Sequence, residues 1–197
     1  MQPDDDATTI RHILDGDTDA YRVLVDRYGN RLYGFCRGRL GDEHDAEDAV
    51  QDVFIRAYRS LKTFDPARSF ASWLFAIAAN RVKSRYARRE SAGKLVSSLK
   101  AEAAASTDSV QAGHDPASGV LDALEAERLR SAVATLPSGM RLPVELFYFA
   151  GLSIAEAAPA AGISQEAFKT RLFRARRQLR DVLEEKRKPG MDTGGRQ

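Results

Sequence analysis

Residues 152–183 read LSIAEAAPAAGISQEAFKTRLFRARRQLRDVL, and their spacing predicts two helices joined by a tight turn. Ser153 and Glu156 have the spacing of a capping box, in which each residue satisfies a backbone amide at the helix start. Gly162 is placed to end this first helix, and Ser164 is a good N-cap for the second. The stretch therefore predicts a helix-turn-helix.

The second helix of this motif has two unlike faces. Apolar residues recur at helical spacing along one side, namely Phe168, Leu172, Ala175, Leu179 and Val182. Roughly opposite, at about 100° per residue, lie Glu166, Thr170, Phe173, Arg174 and Arg177, with Lys169 on the flank. A phenylalanine among arginines suits a DNA groove, where Phe contacts thymine methyls and Arg contacts guanines or phosphates. The alternative is a solvated basic face that carries one stray aromatic residue.

The composition is that of a water-soluble helical protein. With 197 residues, 43% hydrophobic and 29% charged, the chain can form one large domain or two small ones. Its apolar runs fall short of the roughly 18 residues of a membrane span, and its acidic start does not resemble a signal peptide. Cys36 is the single cysteine, and the Cys and His residues lack metal-ligand spacing. We therefore expect a cytoplasmic protein without membrane insertion, cofactor or metal.

The net charge of +2 hides a marked asymmetry along the chain. The first 19 residues are acidic, whereas residues 81–89 and 169–180 are strongly basic. Segregated positive charge indicates a polyanionic partner, because neutralising phosphates releases counterions. Two basic segments far apart in sequence predict two contacts with one nucleic acid.

The periodicity is helical almost throughout, so the predicted fold class is all-α, with two small helical domains joined by a flexible linker. Apolar stripes within residues 8–90 need one another for burial and predict one bundle. Residues 91–118 are rich in Ser, Ala and Gly and predict the linker, with nascent helix near residues 95–105. Residues 119–186 form the second predicted domain, and residues 187–197 a disordered tail.

Two segments outside the helix-turn-helix are candidates for binding. Glu47, Asp48, Gln51 and Asp52 lie off the apolar stripe of their predicted helix and create an anionic patch. Acidic residues in a first turn also cap a helix, so the patch has either a basic protein partner or a capping role alone.

The second candidate is the loop that precedes the helix starting near Phe70. Ser69 is placed to cap that helix, and the spacing of Phe70 and Trp73 predicts core packing. Phe64, Arg68 and Asn80 are the better candidates for contact with unpaired bases, which stack on aromatic side chains and bond to amides.

At this level of detail the chain resembles a known family. Residues 13–90 resemble region 2 of an extracytoplasmic-function (ECF, group IV) RNA polymerase sigma factor of the sigma-70 family, through Gly16-Asp17, Ala20-Tyr21, the segments 24–28 and 31–33, DAEDAVQDVF at 45–54 and SFASWL at 69–74. Residues 121–185 resemble region 4, through Leu136-Pro137, Gly151-Leu152-Ser153, Glu156-Ala157, Gly162-Ile163-Ser164 and KTRLFRAR at 169–176. The resemblance covers about three quarters of the chain in the family's order.

The resemblance implies a promoter-specificity subunit that binds core RNA polymerase, recognises −35 and −10 promoter elements and promotes melting without bond chemistry of its own. It implies contact with the coiled coil of the β′ subunit through Asp45, Glu47, Asp48, Gln51 and Asp52, and with the β subunit. It implies −10 contacts by Phe64, Arg68, Ser69, Asn80, Arg81, Lys83 and Arg85. It implies −35 contacts, by a helix-turn-helix of winged-helix-like type, through Gln165, Glu166, Lys169, Thr170, Phe173, Arg174 and Arg177. An anti-sigma factor is also expected as a partner.

The departures from the family pattern lie mainly in region 4. Pro159 stands inside the first helix of the motif, and Pro143 either interrupts the preceding helix or marks its late start. Glu166, Ala167 and Phe168 replace the usual residues at the start of the second helix. Two other functions compete: a helix-turn-helix regulator that acts without polymerase, and a nucleic-acid enzyme, which the absence of a nucleophile or metal constellation from the sequence disfavours.

Overall fold

A computed structural model describes residues 3–99 and 119–185, with side chains for residues 6–85 and 127–184. The described residues form eight α-helices: α1 (Pro3–Leu14), α2 (Tyr21–Leu40), α3 (Glu43–Ser60), α4 (Phe70–Leu99), α5 (Gly119–Thr135), α6 (Ser138–Val144), α7 (Ile154–Ala160) and α8 (Gln165–Glu185). Short 3₁₀ turns lie at Thr18–Ala20 and Leu61–Thr63, and a π turn spans Glu145–Phe149. Strands are absent from these two ranges, which confirms the all-α prediction.

The first unit is a bundle of α1 to α4 whose apolar stripes meet in one core. Leu24, Leu32 and Phe35 of α2 are completely buried, and the Phe35 ring packs edge-on against Phe75 of α4 at 5.8 Å. Helix α1 belongs to this bundle, because Ile10 is buried and Asp6 accepts a hydrogen bond from the Tyr28 hydroxyl. The bundle therefore begins before residue 8, the boundary predicted from the sequence.

Local capping sets where the helices of the first unit begin. Asp42 accepts a hydrogen bond from the amide of Asp45 at 2.8 Å, so α3 starts at Glu43. This is two residues before Asp45, where the acidic segment DAED begins. Gly41 ends α2 with a left-handed φ of +77°, which glycine adopts without steric cost. Ser69 accepts from the amide of Ser72 at 3.3 Å, as the sequence predicts for the start of α4.

Helix α4 continues to Leu99, well into the segment that the sequence assigns to a linker over residues 91–118. Residues 91–99 contain no proline, and the single glycine, Gly93, costs a helix only about 1 kcal/mol relative to alanine, so the helix continues past residue 90. The remainder of the predicted linker, residues 100–118, and the predicted tail over residues 187–197 lie outside the described residues.

The second unit contains the predicted helix-turn-helix. Ser153 and Glu156 form the capping box at the start of α7, Gly162 makes the turn with φ of +68°, and Ser164 accepts from the amide of Ala167 at 3.2 Å. The predicted apolar stripe of α8 is buried from Phe168 to Leu179. The described residues of this unit, 119–185, contain no strand, so no wing of the winged-helix type accompanies the motif there.

Neither proline prevents the helix around it. Pro143 lies inside α6, and the chain then switches to the π turn, where the amide of Ala150 donates to the carbonyl of Glu145 at 3.0 Å. Pro159 is exposed in the last turn of the seven-residue α7. Its missing amide deprives only the carbonyl of Ala155, an exposed residue at which water can replace the lost bond.

Candidate protein and nucleic-acid interfaces

The carboxylates predicted to bind a protein partner lie on one side of α3. We call Asp45, Glu47, Asp48, Gln51 and Asp52 the acidic surface. The side chains of Glu47 and Asp48 are 54% and 67% exposed, and Gln51 is also exposed. Asp42, outside this set, is the residue whose carboxylate caps α3, so Glu47 and Asp48 are not needed for that role.

Arginines of α4 cover part of the acidic surface. The Arg85 guanidinium lies 3.3 Å from the Asp48 carboxylate and 3.4 Å from that of Asp45, and it donates to the Asp45 carbonyl at 2.6 Å. Arg81 pairs with Asp52, which also accepts from Arg56 at 2.8 Å. The sequence predicts Arg81 and Arg85 as DNA-binding residues, whereas here both side chains face α3. Their contact with DNA stays a prediction.

A pocket of about 330 Å³ lies beside the loop between α3 and α4. We call it the loop pocket; it is lined by Asp6, Ala7, Tyr28, Phe64, Pro66, Ala67, Arg68, Ser69, Phe70 and Glu156. Phe64 is only 8% exposed and packs against Phe70 and Trp73, with ring centroids 5.6 and 5.2 Å away. The sequence interpretation separated Phe64 from the other two aromatics, whereas the structure packs all three together and leaves Arg68 exposed at the rim.

The candidate −10 residues fall into two groups along α4. Phe64, Arg68 and Ser69 surround the loop pocket at the helix start, whereas Asn80 and Lys83 are exposed roughly 16 Å further along the helix, at about 1.5 Å per residue. Asn80 borders a second cleft, between α3 and α4, that Asp52, Arg56, Arg59 and Arg81 also line. A single ligand can therefore contact both groups only if it extends over several helical turns.

The exposed side of α8 brings all of its predicted residues together. This recognition face consists of Gln165, Glu166, Lys169, Thr170, Phe173, Arg174 and Arg177, each of which is exposed. Phe173 is 68% exposed, the highest fraction among the large apolar side chains in the described part of the chain. A solvent-exposed aromatic ring between cationic side chains can contact an apolar group in a DNA groove, such as a thymine methyl.

Arg176 has a different role from the other basic residues of α8. Its guanidinium lies over the rings of Phe147 and Tyr148, 5.7 and 5.5 Å from their centroids, and donates to the Tyr148 hydroxyl at 2.6 Å. Cation–π contacts of this kind stabilise the position of α8 relative to the π turn. Arg176 therefore contributes to the fold of the second unit.

Metal-binding clusters and membrane-spanning helices are both absent from the described residues. Among residues 3–99 and 119–185, no three His, Cys, Asp or Glu side chains are grouped so as to hold a metal ion. Helices long and apolar enough to cross a membrane are likewise absent from those ranges. Cys36 is buried, and this burial raises the pKa of its thiol to about 12.

Comparison with known proteins places both units in the same protein family. The family profile of Sigma-70 region 2 matches residues 24–92, and that of Sigma-70 region 4 matches residues 126–179. The chain is 34% identical over 180 residues to the ECF RNA polymerase sigma factor SigW of Bacillus subtilis, covering 88% of this chain and 94% of SigW. It is 36% identical over 171 residues to the ECF sigma factor SigF of Caulobacter vibrioides, covering 86% and 89%.

A solved structure agrees with these matches. CnrH in complex with the cytosolic domain of CnrY superposes with a TM-score of 0.70 at 28% identity, over 91% of this chain and 97% of CnrH. The CnrH sequence, from Cupriavidus metallidurans, is 32% identical over 194 residues, covering 93% of this chain and 97% of CnrH. With both units matched in order along most of its length, the chain belongs to the ECF sigma factors of the sigma-70 family and is a promoter-specificity subunit of RNA polymerase.

Proposed function

We propose that residues 8–90, together with the start of α1 that precedes them, act as region 2 and residues 119–186 as region 4 of this sigma factor. Residues 91–118 join the two, with α4 continuing over the first nine of them, and residues 187–197 form a tail. The acidic surface binds the coiled coil of the β′ subunit of core polymerase, and region 4 contacts the β subunit. The recognition face of α8 binds the −35 element in the major groove. The loop pocket and the exposed side of α4 bind the −10 element as the DNA melts.

One observation supports this division of roles above all others. The structure carries two exposed surfaces of opposite charge on different units: carboxylates on α3 and arginines around Phe173 on α8. DNA phosphates repel the first and attract the second, so the two surfaces select different partners. A sigma factor needs this combination, because it must hold a protein and a promoter at the same time.

The ion pairs between α3 and α4 fit the same proposal. Arg81 and Arg85 are bound to Asp52, Asp45 and Asp48 in the protein alone. A cationic surface of the polymerase competes for these carboxylates, and each pair that it displaces leaves an arginine available for phosphates or bases. Binding of core polymerase then prepares α4 to hold the −10 strand, together with Asn80, Lys83 and Ser69.

The −10 assignment is tested with Arg68→Ala and Asn80→Ala. We expect each variant to lower transcription from a duplex promoter about tenfold, because a lost base contact costs about 1–3 kcal/mol. On a template whose −10 region is already unpaired, the loss of transcription caused by each variant is several-fold smaller, because the bases no longer have to be captured for the DNA to melt. Single-round transcription on the two templates measures both effects.

Lys62→Ala is the matched control for these variants, because Lys62 is exposed next to the same loop but does not line the loop pocket. It leaves transcription from both templates unchanged. Normal activity of Arg68→Ala and Asn80→Ala on the duplex template, or an equal loss on both templates, argues against a role in melting.

The finer assignments rest on the resemblance to the family. We propose that the chain is a group IV sigma factor, acts in the cytoplasm and catalyses no bond chemistry itself. A cognate anti-sigma factor is a further proposed partner. In support of a protein partner for the free sigma factor, the related CnrH is solved in complex with the cytosolic domain of CnrY.

A further inference from the structure

The basic first half of α8 contains a single carboxylate. Residues 165–177 carry five basic side chains, namely Lys169, Arg171, Arg174, Arg176 and Arg177. Glu166 is the one acidic residue in that stretch, and it belongs to the recognition face. Phosphates flank a helix that lies in a DNA groove, so a carboxylate there lowers affinity unless it has a partner of its own on the DNA. General attraction to DNA therefore does not account for Glu166.

A cap and a buried ring fix the start of α8 and with it the direction of Glu166. Ser164 accepts a hydrogen bond from the amide of Ala167 at 3.2 Å, and the ring of Phe168 is completely buried. Glu166 lies two residues before Phe168, which is about 200° around the helix, and it is exposed. The Glu166 side chain is therefore on the side of α8 that faces away from the core.

The carboxylate of Glu166 has no partner within the described part of the chain. In α7 the carboxylate of Glu156, the third residue of the helix, accepts from the amide of Ser153 at 2.9 Å. Glu166 is the second residue of α8, and it makes no such capping contact. Lys169, one turn further on, does not pair with it either, and neither a hydrogen bond nor an ion pair of its side chain is found among the described residues. The carboxylate is thus available to a ligand.

Glu166 lies in line with the residues proposed to enter the groove. At about 100° per residue, Thr170, Phe173 and Arg177 are within about 40° of Glu166 around the helix. In helix-turn-helix complexes the first residues of the recognition helix contact base edges. The Glu166 carboxylate is therefore placed to meet base edges, whereas the long side chains further along the helix can reach phosphates.

The chemistry of a carboxylate selects one base. Cytosine presents an amino donor, N4, to the major groove, whereas guanine and thymine present acceptors that repel a carboxylate. Adenine has an amino donor too, but its N7 acceptor lies beside it. Lys169, on the flank of the recognition face, can donate to O6 or N7 of the guanine that pairs with the cytosine. The acidic and basic side chains together match the donor and the acceptors of one C·G pair.

We propose that Glu166 is a specificity-determining residue: it accepts a hydrogen bond from N4 of one cytosine in the −35 element and rejects the other bases at that position. The inference rests on the proposed function for the binding of α8 to the −35 element. Its main effect is exclusion, because a wrong base leaves the carboxylate unpaired near phosphates. We expect about tenfold discrimination in favour of cytosine at that position, the size of one charge-assisted contact.

Glu166→Gln is the most informative variant, because it keeps the size of the side chain and changes the base that it recognises. A glutamine amide can bond to both N6 and N7 of adenine, so the preference at one position of the −35 element moves from cytosine to adenine. Glu166→Ala loses the preference at that position. Asp181→Asn is the matched control: it makes the same carboxylate-to-amide change at an exposed residue of α8, roughly 22 Å further along the helix, and leaves every base preference unchanged.

Two assays on the full chain measure the base preference. Transcription with core polymerase uses promoters randomised through the −35 element, each with a barcode in the transcribed region. Selection of bound duplexes from a random pool uses the chain alone, at low salt because phosphate contacts weaken as salt is added. In both assays the roughly tenfold preference for cytosine at one position is present in the unmodified chain and in Asp181→Asn, and absent from both Glu166 variants.

Several results overturn the inference. They are the absence of a preferred cytosine from the element selected by the unmodified chain, unchanged base preferences in Glu166→Gln, an equal change in Asp181→Asn, and no selected sequence in either assay. A Glu166 variant that alters the affinity for core but keeps every base preference has lost a protein contact, which also contradicts the inference. The proposed function fails separately, when the chain directs no specific transcripts with core, since duplex selection reads the contact of Glu166 without polymerase.

Discussion

Charge reversal of Glu47 and Asp48 to lysine is expected to lower the affinity for core RNA polymerase at least about a hundredfold, because each close charge pair across an interface contributes about 1.5–7 kcal/mol. Both side chains are mostly exposed, at 54% and 67%, so neither lysine is buried, and the local cost is the loss of the ion pair between Asp48 and Arg85. Attraction to a cationic coiled coil then becomes repulsion. Titration of fluorescently labelled sigma factor with core polymerase measures the loss directly.

The control must change the net charge equally at another surface. Asp15→Lys with Asp26→Lys reverses two exposed carboxylates on region 2 that lie off the acidic surface. This variant binds core as the unmodified protein does. If it loses affinity to the same extent, the attraction is a general charge effect, and the assignment of the acidic surface is wrong.

Substitution of Arg174 by alanine is expected to lower transcription from a duplex promoter about 5- to 150-fold. A bidentate contact between an arginine and a base edge contributes about 1–3 kcal/mol of discrimination, and Arg174 lies beside Phe173 at the centre of the recognition face. The variant also relaxes the preference for one base position in the −35 element. Transcription from promoters randomised through that element measures both the loss and the position.

Arg171→Ala provides the control, since it removes the same charge from the same helix. Arg171 is turned toward α6, with its guanidinium 3.9 Å from the position of a Cβ on Gly139. We expect a uniform loss of at most a few-fold and no change in base preference. An equal relaxation of specificity by both variants indicates that α8 contacts the promoter only through phosphates.

Features determined by neighbouring residues could be predicted from the sequence. The capping box of Ser153 and Glu156, the cap at Ser164 and the buried stripe from Phe168 to Leu179 all follow from local spacing, and the structure confirms each of them. The recognition face follows from the same periodicity, because the side opposite a buried stripe must be exposed. The family was also recognisable, since its motifs are short segments at fixed positions along the chain.

Features that depend on how helices pack could not be predicted in the same way. Arg81 and Arg85 read as a basic helix end, and nothing local shows that their side chains reach α3. The one available signal is the spacing of four residues between them, which matches the spacing of Asp48 and Asp52 on a facing helix. Similar spacing is common in helical proteins, so it indicates a pair only once the packing is known.

Glu145 is the clearest case of a residue whose burial and ion-pair partner could not be predicted from the sequence. It stands in the apolar run PVELFYF and its side chain is almost fully buried, where desolvation raises the pKa of its carboxyl although Arg39 and Arg141 lie close enough to oppose the shift. A carboxylate buried in this way needs a cationic partner, but that partner is more than a hundred residues away in the chain. Only the contact between the two units identifies it as Arg39.

The most direct test of the account is run-off transcription with purified core polymerase on a library of promoter fragments. We expect core with this chain to start transcripts on a subset of fragments that share two short elements about one and a half to two helical turns apart, and core alone or with Glu47→Lys/Asp48→Lys to start none of them. The opposite result, in which the chain selects duplex DNA without core and directs no specific transcripts with it, identifies a polymerase-independent regulator and contradicts the account.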